Sequence, residues 1–247
     1  LATYYYEFNT TRPPFSDARV RKALNLALDK DIIAGKVLGQ GQRPAWLISQ
    51  PDIGGVKLQN PDYASWPMDK RIAEAKKLLA EAGFNDSHPL SFNLLYNTSE
   101  SHQRIAIAAS SMWKKNLGVE AKLQNQEWKT MLDTMHTHNF DAVRYAWIAD
   151  YDDAATFLNN FRTGDSQNTT QYSNPEYDLA LVNAAKAKTA EERGKFYQQA
   201  EDLLGRDVPA IPVYHYVRTH LVKPWVGGFT PDKLGYYYTK DMYIKKH

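Results

Sequence analysis

Between residues 140 and 158 the sequence reads FDAVRYAWIADYDDAATFL, with a guanidinium at Arg144 and a carboxylate at Asp150 set among Tyr145, Trp147 and Tyr151. A cation suits the carboxylate, an anion suits the guanidinium, and the rings offer stacking surface for whatever lies between. Asp152 and Asp153 follow, but the glycine and the further oxygen ligands of a calcium loop are missing. They read instead as acids at a helix entry, complementing its dipole. His136 with His138, and His215 with His220, match no metal-ligand spacing with a carboxylate in register, and read as surface histidines. No nucleophile elbow, phosphate-binding glycine loop or dinucleotide fingerprint occurs. The residues point to binding before chemistry, and no cofactor or metal is expected.

The elements that position this stretch follow from periodicity. Residues 140–148 have the β-branched and aromatic content of a strand, and residues 152–161 read as a helix entered through aspartates. Asp150 then falls at a strand's carboxyl end beside a helix start. Open α/β sheets hold ligands there, because loops converge and helix dipoles point into the crevice. Upstream, a strand at 90–96, a helix at 101–117 stopped by Gly118, a strand at 119–125 and a helix at 128–136 lead into strand 140–148. That βαβαβ order predicts an α/β fold with a parallel sheet covered by helices on both faces. Val119, Ala121 and Leu123 alternate with Glu120, Lys122 and Gln124, the pattern of an edge strand.

The flanks are read in the same way. TYYYEF at 3–8 is a strand ended by Pro13 and Pro14, and Ser16 caps a helix over 17–28. Its apolar stripe is Val20, Ala23, Leu24, Ala27 and Leu28, with Arg19, Arg21 and Lys22 off the stripe. A short helix at 31–38 ends at Gly39, and an irregular stretch covers 40–67, long enough to be functional or to wrap another surface. A helix at 69–82 stops at Gly83. Helices at 175–187 and 190–205, a strand at 210–217 and a short one near 221–223 precede a tail without pattern.

With 30 basic and 28 acidic residues alternating along 247 positions, the net charge of +2 leaves no nucleic-acid footprint. No apolar run reaches the roughly 18 residues of a membrane span. Leu1, Ala2 and Thr3 do not open a secretion signal, and the first residues look like the inside of a larger protein. The absence of cysteine excludes disulfides and thiolate chemistry. Sixteen tyrosines and six tryptophans read for the most part as core and interface packing, and the functional alternative is a surface that holds varied ligands by stacking and tyrosine hydroxyl bonds.

The segments SDARVRKALNLALDKDII, LLYNTSESHQRIAIAASSMWKKNLGVEAKLQNQEWKTMLDT, FDAVRYAWIADYDDAATFLN and PVYHYVRTHLVKPWVGGF resemble the family 5 extracytoplasmic solute-binding proteins of ABC importers. Within that family they resemble the periplasmic oligopeptide-binding group, with a murein-peptide-binding relative as the alternative. The resemblance implies a carboxyl-terminal peptide-binding lobe over residues 1–200. Residues 201–247 are implied to pack on an amino-terminal lobe of the same protein that lies outside this sequence. It implies a periplasmic protein that captures short peptides in an interlobe cleft and delivers them to an ABC permease at the inner membrane, without catalysis. Asp150 matches the aspartate that pairs with a peptide's α-ammonium group, and Arg144 and His102 match residues that meet the carboxylate of peptides of different lengths. Trp128, Trp147 and Tyr216 match walls of side-chain pockets, and Tyr145 and Ala146 complete the candidate set. Leu38 stands where many members carry a lysine that meets the shortest peptides. Met135 stands where close relatives carry an arginine bordering the pocket, and Ala2 with Ile148 stand where some carry a cysteine pair. A hydrolase using Asp150 with a histidine, and an aromatic chaperone-like surface, are the competing readings.

Overall fold

The computed structural model describes residues 1–246. Every residue of strand β1 (Ala2–Phe8) is buried, because the strand runs through the middle of a sheet with helices on both faces. The order across this six-stranded sheet is β2 (Arg43–Pro44), β6 (Ala210–His215), β1, β5 (Ala142–Ile148), β3 (Ser91–Asn97) and β4 (Glu120–Gln126). Strands β3, β4 and β5 form the expected parallel unit, connected through α4 (Glu100–Leu117) and α5 (Trp128–His136), with β4 at the edge its alternation predicts. The other half is antiparallel: β1 pairs with β5 and β6, and β2 with β6. The sheet is therefore mixed, not parallel throughout. β6 carries Pro212, which cannot donate to a ladder, and the register shifts opposite it between Tyr4 and Tyr5, so an inner strand tolerates the proline at a bulge.

Period-two alternation splits β1 between two cores. Tyr4, Tyr6 and Phe8 enter a core closed by α1 (Ala18–Ala27), the turn 33–38 that follows α2 (Lys30–Ile32), α3 (Met68–Glu81) and α4. At its centre the fully buried Trp113 donates its indole N–H to the Leu24 carbonyl at 2.9 Å. Tyr5 enters the opposite core with Phe157, Phe161, Tyr177 and Tyr197, beneath α6 (Ala155–Leu158), α7 (Pro175–Lys186) and α8 (Ala190–Asp207). A third cluster of Leu95, Met131, Met135, Phe140 and Val143 lies under α5. Met135 is thus a core residue at 1% exposure, where the resemblance places an arginine in close relatives.

Local corrections have local causes. Asp17, not Ser16, caps α1, its carboxylate accepting from the Arg19 amide at 2.8 Å. Arg21 is buried: its guanidinium donates to the carbonyls of Phe15, Asp207 and Val208, so a cation closes the carboxyl end of α8. Lys22 does the same at Gly205, 2.6 Å away. The helix expected at 31–38 is Lys30–Ile32 followed by a π-helical turn, Ile33–Leu38, ended by Gly39 at φ 64. The one expected at 152–161 shortens to α6 and a single 3-10 turn, Asn159–Phe161. No strand forms at 221–223; the tail instead pairs β7 (Val226–Gly227) with β8 (Tyr243–Ile244). His215 is buried against the Thr3 hydroxyl at 3.0 Å, and burial followed by the charges of Arg43 and Lys30 pushes its pKa down to about 3. Beyond residue 200, Glu201 and all of β6 are buried in this body. Only residues from 216 onward lie mostly outside it.

Candidate functional site

Strand β5 outruns its neighbour. Its pairing with β3 is confined to Leu94 with Ala142 and Leu95 with Val143, whereas its pairing with β1 continues to Ile148. From Arg144 to Ile148 one side of the strand therefore has no partner strand. The amide of Ala149 donates to the Leu1 carbonyl at 2.9 Å. Since antiparallel pairs alternate, residues 143, 145, 147 and 149 spend their backbone groups on β1, and those of Ala146 and Ile148 face the open edge. An extended chain laid along this edge meets a ready-made ladder.

Arg144 stands at one end of the edge, buried at 6% exposure. Its guanidinium donates to Asn97 Oδ1 at 3.0 Å and to the Tyr216 hydroxyl at 2.8 Å, and lies 4.7 Å from the centre of the Tyr4 ring. Its Nε has no partner, and no carboxylate among the described residues forms an ion pair with it. A buried cation held only by neutral groups retains capacity for an anion. His102, in the first turn of α4, lies 5.7 Å ring to ring from Tyr4, with Nδ1 buried and unpartnered. Burial first, and then the Arg144 charge, push its pKa down to about 4, so the imidazole is neutral at pH 7.

Asp150 stands at the other end, two residues beyond β5 and exposed. Six residues at about 3.3 Å each place its Cα up to roughly 20 Å from that of Arg144. Thr156 lies beneath it, accepting from the Asp150 amide at 3.0 Å and from Trp147 Nε1 at 3.3 Å. Trp128, 42% exposed, stacks on Tyr145 at 6.1 Å with the planes 5° apart. Asp152 and Asp153 are structural. Asp152 accepts from the Gly54 amide and pairs with Lys233, while Asp153 holds the Tyr197 hydroxyl and Arg193.

The expected residues thus form two groups on one strand end. Arg144, Ala146, His102 and Tyr216 belong to the face of Tyr4; Tyr145, Trp147 and Trp128 belong to the opposite face, with Asp150 beyond both. The sheet therefore separates the rings of Trp128, Tyr145 and Trp147 from that of Tyr216. Sequence reasoning missed Asn97, Tyr4 and Thr156. The Thr3 to Phe8 alternation could have flagged Tyr4, whereas nothing local marks Asn97 or Thr156. Ala2 and Ile148 do face each other across the β1–β5 pair. No group of three or more metal-ligating side chains occurs among the described residues, and no helix among them is long and apolar enough to cross a membrane.

The mixed sheet thus carries an open strand edge with a buried arginine that has no carboxylate partner at one end and an exposed aspartate at the other. Residues 1–169 match the family described as "Bacterial extracellular solute-binding proteins, family 5 Middle", and the chain belongs to that family. It is 50% identical over 248 residues to the periplasmic oligopeptide-binding protein OppA of Escherichia coli (strain K12), covering 100% of this chain and 46% of that protein. Among solved structures, Haemophilus influenzae OppA in complex with RPPGFSPFR matches with a TM-score of 0.90 at 45% identity, over 100% of this chain and 49% of that one. The murein tripeptide-binding protein MppA of Escherichia coli matches with a TM-score of 0.92 at 43% identity, over 100% and 49%. The chain spans about half the length of these relatives. The family resemblance carried by its sequence segments is borne out.

Proposed function

We propose that the protein is the periplasmic substrate-binding component of an ABC peptide importer, not an enzyme, and that it hands short peptides to a permease at the inner membrane. The observation that carries this reading is the open edge of β5, bounded by Arg144 at one end and Asp150 at the other. A peptide with its ammonium group at Asp150 and its carboxylate at Arg144 runs antiparallel to β5 and hydrogen-bonds the backbone of Ala146 and Ile148. Backbone and termini supply affinity, while Trp128, Tyr145 and Trp147 on one side and Tyr216 and His102 on the other give side chains room without selecting one. Relatives about twice as long, named as peptide-binding proteins, support a second lobe that closes over this edge. Residues 216–246, with Leu221, Tyr236, Tyr238 and Ile244 exposed, are the segment proposed to cross to it. Closure matters energetically, since an ion pair in water contributes about 0 to 1 kcal/mol, whereas truncating one partner of a buried charged pair costs about 2 to 5 kcal/mol.

Calorimetric titration of the full-length protein with tri- and tetrapeptides tests the function. Tight binding that weakens when either peptide terminus is blocked supports it. Equal binding of blocked and unblocked peptides, or turnover of the peptide, overturns it.

A further inference from the structure

Given Asp150 as the acceptor of the peptide's ammonium group, the geometry points to Thr156 as the residue that positions that carboxylate and couples it to the Trp147 wall. A hydroxyl has one proton and two lone pairs. At Thr156 all are engaged at the site: the Asp150 amide donates to Oγ1 at 3.0 Å, Trp147 Nε1 donates to it at 3.3 Å, and the hydroxyl proton faces Asp150 Oδ2 at 3.4 Å. Thr156 is itself 4% exposed, in the short helix α6. Asp150 lies past the last ladder pair of β5, so no strand partner holds its backbone, and the 3.0 Å amide bond to Thr156 fixes the direction of its Cα–Cβ bond. The longer contact to Oδ2 then sets which carboxylate oxygen faces Thr156 and leaves the other uncommitted to it. The indole bond makes the same hydroxyl a reference for the pocket wall. The ammonium acceptor and the adjoining aromatic surface thereby move together or not at all.

Valine has the branched shape of threonine without its hydroxyl. Thr156→Val preserves packing and leaves the Asp150 amide and the indole N–H without their acceptor; Thr156→Ala removes the same bonds with less bulk. Thr156→Ser keeps the hydroxyl. The test is calorimetry of the full-length protein with trialanine and N-acetyl-trialanine, read as the ratio of the two affinities, beside Asp150→Asn. Thr156→Val and Thr156→Ala are expected to lower the ratio about tenfold, the scale of one hydrogen bond to a charged group, and Thr156→Ser to keep it within about threefold of the parent. If Asp150→Asn collapses the ratio and neither Thr156→Val nor Thr156→Ala changes it, the positioning role is overturned while the ammonium assignment stands. If Asp150→Asn leaves the ratio unchanged, the ammonium assignment itself fails. Equal weakening of both ligands by the Thr156 variants shows a purely structural residue and overturns the proposal.

Discussion

Glu7 is a carboxyl group in the interior of the sheet, 3% exposed, whose one hydrogen bond comes from the Thr169 hydroxyl at 2.5 Å. Burial raises its pKa from the ordinary 4.5 to about 7, with the Thr169 bond acting in the opposite sense. The folded protein therefore binds this proton more tightly than the unfolded chain does. The stability it contributes is fully present below about pH 4.5 and is lost as pH rises through about 7. At about 1.36 kcal/mol per pH unit, the loss is roughly 3 kcal/mol. Glu7→Gln keeps an oxygen for Thr169 and cannot ionise, although its NH2 has no assured acceptor and costs about 1 kcal/mol. That cost is the same at every pH. Denaturant unfolding of parent and variant at pH 4.5 and pH 8 should show the difference in stability moving by about 3 kcal/mol in favour of the variant at the higher pH. Glu201, whose burial also raises its pKa to about 7, is common to both proteins and cancels. A stability difference that is the same at both pH values would refute the assignment of a buried, strongly shifted carboxyl to Glu7.

Arg21→Met removes the donor shared by three carbonyls at the end of α8 and the start of α1, and should destabilise the protein by about 2 to 3 kcal/mol in denaturant unfolding; a change under about 0.5 kcal/mol would mean that water replaces the guanidinium without loss. Trp113→Ala empties the largest fully buried site and removes the indole donor from the Leu24 carbonyl, with an expected cost of about 3 to 5 kcal/mol. Trp128→Ala removes a half-exposed ring that stacks on one partner, so stability should fall by less than about 1 kcal/mol, while titration shows peptide affinity falling several-fold. A large stability loss there would place Trp128 among the packing residues and remove it from the site.

The parallel unit was legible because each of its elements carries its own signal: the alternation of Val119 to Gln124, the Gly118 stop, and the β-branched run ending at Ile148. The antiparallel half was not. The pairing of Tyr4 with Tyr214 joins residues 210 positions apart, and Pro212 argues locally against an inner strand. Arg21 and His215 were read as surface residues by type. Their burial is decided by carbonyls at the end of α8 and by the Thr3 hydroxyl, partners that only the fold brings near. In the site, the charges at Arg144 and Asp150 stand out in one dimension. Their support does not, since nothing local marks Asn97 and Thr156 falls inside an expected helix. The placing of Tyr145 and Trp147 on one face and of Arg144 and Ala146 on the other was implicit in the period of β5.

The central claim is that a peptide lies on the β5 edge with its ammonium group at Asp150 and its carboxylate at Arg144. It is tested most directly by a paired cycle in the full-length protein: Asp150→Asn against N-acetylation of a tetrapeptide, and Arg144→Gln against amidation of its carboxyl end, all by calorimetry. Each variant should be insensitive to its matching block, with coupling of about 2 kcal/mol or more within each pair and close to none across them. Coupling of Asp150 to the carboxyl end, or losses that simply add in every combination, would contradict the account.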